Sequence, residues 1–171
     1  MAKAWNVPGL RREAKFRDAA GRVILTRWRE MMSYRDGTLA GEDIEELHAM
    51  RVSSRRLRAA MDAFAGVFPE RSFRARLRVV KEITDTLGAA RDLDVAVDGL
   101  EALVGEIALD ERPGIQALAA EYRTHRVAEA THIATLFTRL DDEGFALRFE
   151  RWVARHTGVD PTALQIQPAT E

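Results

Sequence analysis

The sequence predicts an all-α protein, an antiparallel helical bundle of the four-helix type. Three observations predict it. Helix formers (Ala, Leu, Arg, Glu) dominate, and β-branched runs with period two are scarce. Apolar residues in segments such as 48–64 and 74–87 recur at the three- and four-residue spacing of a buried helical stripe. The breaks between such segments are short, which places consecutive helices side by side and antiparallel.

The elements follow in order. A first helix is predicted from about Pro8, at a first-turn position, to Tyr34, with Ile24, Leu25, Trp28 and Met31 as its core stripe. "RDGTLAG" (35–41) ends it. A second helix starts near Glu42 and stops before Pro69. A third runs from about Ser72 through "LGAARDLDVAVDGLEALVGEIA", with a kink expected near Gly88. "DERPG" (110–114) breaks the chain, and a fourth helix covers about Ile115 to Leu140. "DDEG" (141–144) is a turn before a shorter helix at about 145–155. One domain is therefore expected over 8–155. The Pro/Thr-rich segment 156–171 is expected to be loosely ordered.

The totals bound the function. A chain of 171 residues, 46% hydrophobic and 31% charged, has enough apolar surface for one core. There is no cysteine, so disulfides, Cys-based metal sites and Cys nucleophiles are excluded. No apolar run reaches the roughly 18–20 residues needed to cross a bilayer, and "MAKAWNVPGLRREAKFRD" lacks the apolar stretch of a signal peptide. A cytoplasmic location and no membrane partner are expected.

Net charge is −1, yet its distribution is uneven. Residues 48–91 hold ten Lys+Arg against four Asp+Glu, and the rest of the chain is acidic. Such a block concentrates positive potential while the molecule stays near neutral. Its first part, "HAMRVSSRRLRA" (48–59), resolves into two stripes on a helix. Relative to His48, Arg51, Arg55 and Arg58 fall within an arc of about 80°, whereas Met50, Leu57, Ala60, Met61 and Phe64 lie between about 120° and 220°. Arg56 sits off the main stripe at about 80°. The next helix repeats the plan. Arg74, Arg78 and Lys81 share one side, with Asp85 among them, and Val79, Val80, Ile83 and Leu87 share the other.

Like charges three and four residues apart repel by a few tenths of a kcal/mol each. The bland explanation is a solvated face, or one neutralised by acidic helices elsewhere. Two matching stripes favour a shared polyanionic ligand. Arginine offers forked donors to phosphate oxygens, Lys81 adds a point charge and His48 a hydrogen bond. A flexible phosphate chain can follow the axial spacing of about 4.5–6 Å with no base readout. The aromatic residues do not interleave with the arginines, which ranks single-stranded nucleic acid lower. His125 and His132 lie seven apart, whereas a metal pair more often uses a spacing of four, and no obvious carboxylate or Cys completes the set. Asp92 and Asp94 could hold Mg²⁺ or do acid–base work, but anchoring arginines is the expected role. No P-loop, dinucleotide loop or nucleophile elbow is present, so neither an enzyme nor a cofactor is expected.

"LHAMRVSSRRLRAAMDAF" (47–64) followed by "LGAARDLDVAV" (87–97) resembles the CHAD domain, the conserved histidine α-helical domain. The resemblance lies in a histidine, Arg-Val three residues on, an Arg-Arg-Leu-Arg run, and a downstream Leu-Gly-x-x-Arg-Asp-x-Asp-Val. It implies an all-α binder of inorganic polyphosphate, with a possible place at polyphosphate granules. Carried over by position, it implies that His48, Arg51, Arg55, Arg56 and Arg58, with Lys81 and Arg91, line the ligand path. Arg74 and Arg78 rest on the helical wheel. The family's domain has two similar halves about a pseudo-twofold axis, and this chain resembles the first half only. The chain is then either a fragment or a half that pairs with its copy. A homodimer with two 48–58 helices facing each other is expected.

Overall fold

The computed structural model describes residues 3–165. Its helices are α1 (Phe16–Ser33), α2 (Arg35–Ala40), α3 (Ile44–Ala63), α4 (Glu70–Val104), α5 (Arg112–Asp142) and α6 (Phe145–Thr157). Single 3₁₀ turns lie at Ala65–Val67 and Pro161–Ala163, and no strand occurs among the described residues. The all-α bundle is as predicted. Among the described residues, no helix is long and apolar enough to cross a membrane.

Each core helix buries the stripe its sequence spells. α1 contributes Ile24, Leu25, Trp28 and Met31; α3 contributes Leu47, Met50, Leu57 and Met61; α4 contributes Phe73, Val80, Ile83 and Leu87. α5 adds Ile133, Leu136, Phe137 and Leu140, and α6 adds Phe145, Phe149, Trp152 and Val153. Each such side chain contributes roughly 1.5–3 kcal/mol of apolar transfer. The aromatic residues close the end of the core: Trp28 lies 4.6 Å from Phe149 and Phe68 lies 4.2 Å from Trp152, centroid to centroid. α3 packs between α1 and α4, α4 packs on α5, and α6 returns to α1.

The structure departs from the expected boundaries in three places. The first helix starts at Phe16, not Pro8. Gly9 takes a left-handed φ of 67°, and the Pro8 carbonyl accepts from Arg22 instead of starting a helical ladder. Arg11, Arg12 and Lys15 would also oppose the positive end of a helix dipole. The 35–41 segment is a short helix, stopped by Gly41 in the left-handed conformation. Around Gly88 α4 is continuous over 35 residues. As for the segment 156–171, Val159 and Leu164 are buried against the core. Residues 166–171 lie outside the described residues.

Beyond Ala90, α4 buries no further residue, and α5 buries only Ala119 before Ile133. These two stretches form an arm that continues past the core. Leu93, Val97, Leu100 and Val104 recur at spacings of four, three and four, as do Ile115, Ala119, Tyr122 and Arg126. That is the repeat of a coiled-coil seam. Arg126 Nε donates to Asp94 at 2.7 Å and Arg139 to Glu82 at 2.7 Å, which fixes the antiparallel register.

Candidate functional site: a basic stripe across two helices

α3 begins where Asp43 caps it, its carboxylate accepting from the Glu45 backbone N–H at 2.8 Å. Glu45 and Glu46 occupy the first turn, where the helix dipole favours negative charge. With the apolar stripe turned inward, His48, Arg51 and Arg58 are half-buried and Arg55 is exposed. On α4, Arg78 and Lys81 are exposed and Arg91 is half-buried.

Arg51 reaches from α3 to Gly88 of α4. A methyl group there would lie 3.7 Å from Nε of Arg51, so the Arg51 side chain runs from α3 across the surface of α4. Gly88 faces the same way as Lys81, at about 320° and 340° on the wheel that puts Arg74 at zero. With α3 and α4 antiparallel, the His48 end of α3 lies toward Arg91, and Arg74 and Arg78 lie toward the start of α4, away from it.

Carboxylates divide the candidate set. Arg56 leaves the stripe and reaches α1, where it donates to Glu30 at 2.9 Å. Glu30 is fully buried and is held from its other side by Arg27. Burial, then the charges of Glu30 and Glu46, push the nearby Tyr34 hydroxyl above its usual range. Arg74 pairs with Glu70 on its own helix. Arg51, Arg55, Arg58, Arg78, Lys81 and Arg91 form no ion pair with any described carboxylate. Asp85 is exposed within the stripe and pairs with no described cation.

Several polar atoms of the two motifs are also buried without a protein hydrogen-bond partner: Nδ1 of His48, Nε of Arg51, Oγ of Ser53, one terminal nitrogen of Arg91 and Oδ2 of Asp94. Such atoms each carry a desolvation penalty of about 1–3 kcal/mol. Two of the five belong to arginines, so the local arrangement is suited to an acceptor-rich anion.

The second motif is partly scaffolding. Asp94 anchors Arg126 of α5, the role expected for this carboxylate, while Asp92 is exposed. His125 and His132 are both exposed, and no cluster of three or more potential metal ligands occurs among the described residues. Sequence reasoning missed Glu30, whose charge lies on the core side of α1. It also missed a second group of arginines on α6. Arg148, Arg151 and Arg155 recur there at spacings of three and four, on the face that flanks Phe145, Phe149 and Trp152, a pattern the helical wheel would have shown.

A family model for the CHAD domain matches residues 22–170, from within α1 to beyond α6. Comparison with curated proteins and with solved structures gives no match.

Proposed function

The chain belongs to the CHAD domain family, and from that membership we propose that it is a non-catalytic module that holds inorganic polyphosphate along the α3–α4 stripe. The observation that carries this reading is the run of cations without carboxylate partners. His48, Arg51, Arg55, Arg58, Arg78, Lys81 and Arg91 form the path, with Arg56 and Arg74 at its margins, engaged by Glu30 and Glu70. Successive phosphates replace the missing counter-charges, and counterions leave both partners. Mutual repulsion along the arginine ladder is relieved when the chain binds. The ligand needs no cofactor, and the arginines around His48 favour holding phosphate over turning it over. The proposed setting is the cytoplasm, at polyphosphate granules.

A homodimer completes the proposal. The arm leaves Val95 54% and Val127 69% exposed, with Leu103 and Leu118 also open to solvent. A second copy docked there would cover apolar surface and bring a second stripe near the Arg91 end of the first.

Nucleic acid is the competing ligand. We expect long-chain polyphosphate to displace bound RNA or DNA at physiological salt in a competition assay. Preferential retention of the nucleic acid would reject the polyphosphate assignment.

A further inference from the structure

A second basic site lies on the other side of α4. Arg76 of α4 and Arg148, Arg151, Trp152, Arg155 and His156 of α6 line a cavity of about 220 Å³. On the α4 wheel Arg76 is about 200° from Arg74 and about 160° from Arg78, so this cavity and the stripe use opposite faces of one helix.

The cavity is short of negative charge. Arg151 and Arg155 are exposed and pair with no described carboxylate. Arg148 reaches only Glu143, at 3.3 Å, and Glu143 is shared with Arg139. The Arg76 guanidinium lies over the Trp152 indole, 4.7 Å from its centroid, with one nitrogen donating to the Ser72 carbonyl at 3.1 Å. Burial, and then the charge of Arg148, lower the pKa of Arg76. Because the Trp152 carbonyl can only accept, Nδ1 of His156, 2.8 Å away, donates to it. That orients the His156 ring.

We propose that this cavity binds a short condensed phosphate, of the di- or triphosphate class, independently of the α3–α4 stripe. Converging guanidinium forks match phosphoryl oxygens, and a compact anion would relieve their repulsion. The Trp152 ring face carries Arg76 and its side chain is buried, so there is no aromatic platform for a nucleobase. The phosphates could come from an inorganic oligophosphate or from the tail of a nucleoside triphosphate.

Calorimetric titration of the full chain separates these outcomes. Arg151→Ala with Arg155→Ala removes two exposed cations that hold no ion pair, and circular dichroism checks that helicity is kept. With the stripe weakened by Arg51→Ala/Arg55→Ala, tripolyphosphate is still expected to fill a one-to-one site at the cavity. Losing two charge-assisted contacts should weaken it at least about tenfold in Arg151→Ala/Arg155→Ala. ATP binding as tightly as tripolyphosphate, or more so, assigns the site to a nucleotide tail; markedly weaker ATP binding assigns it to inorganic phosphate. No tripolyphosphate binding by the wild type, or equal binding by the Arg151→Ala/Arg155→Ala variant, would overturn the proposal. Neither result bears on long-chain polyphosphate binding at the stripe.

Discussion

Glu30 is the only fully buried charged side chain among the described residues, and it explains why one arginine of the 55–58 run behaves unlike its neighbours. Arg27 and Arg56 close on the two carboxylate oxygens, from the same helix and from α3. Removing the charge would take away the carboxylate on which both partly buried guanidiniums close. Glu30→Gln should therefore lower unfolding free energy by about 2–3 kcal/mol, read from urea denaturation. Arg56→Ala should cost about 1–2 kcal/mol by the same route, whereas Arg55→Ala, at an exposed position without an ion pair, should leave stability within about 0.5 kcal/mol. The helical wheel separated Arg56 from Arg51, Arg55 and Arg58 by angle. It could not supply the reason, because the partner lies 26 residues away on another helix and a buried glutamate has no local signature.

Among the helices, two glycines differ in what a side chain there would meet. At Gly88 an added methyl group would stand 3.7 Å from Arg51, an ordinary contact. Gly88→Ala should therefore stabilise α4 by about 0.5–1 kcal/mol through helix propensity, with polyphosphate binding retained. A leucine there would displace the Arg51 side chain and weaken the ligand while helicity stays. Gly21 is the opposite case. A methyl group would come within 2.4 Å of Thr157 Oγ1 and 2.7 Å of Val159, where α1 meets the end of α6. Gly21→Ala should destabilise by about 1–3 kcal/mol through overpacking, seen as a lower urea midpoint. Helix order and the core stripes were readable from periodicity, since burial follows the 3.6-residue repeat. The start of α1 was not. Proline at a plausible first turn was outweighed by the left-handed Gly9 and by Arg11, Arg12 and Lys15 crowding the positive end of the dipole. α4 runs on past Gly88 because a single glycine in a run of strong helix formers costs only about 1 kcal/mol.

In the whole molecule, an arm with a narrow seam extends from a well-filled core. The seam positions of α4 and α5 meet each other, and the valines outside it meet solvent. If the arm is the dimer contact, sedimentation should give a dimer for the wild type and a monomer for Val95→Asp with Val127→Asp. A wild-type monomer with full polyphosphate affinity would remove the dimer from the account. The uneven charge along the chain was plain from the sequence, but its two-sidedness on α4 was not, because Arg76 lies among the apolar positions of the wheel and needs Trp152 of α6 to hold it. The central claim is that the α3–α4 stripe neutralises a phosphate chain. Its most direct test is a titration with polyphosphate of defined length, across a salt series, of the wild type and Arg51→Ala/Arg55→Ala. Wild-type affinity should fall steeply with salt. In the double variant we expect weakening by at least about tenfold and a log–log salt slope shallower by about one to two units, with helicity unchanged. Equal affinity and equal slope in the two proteins would contradict that claim.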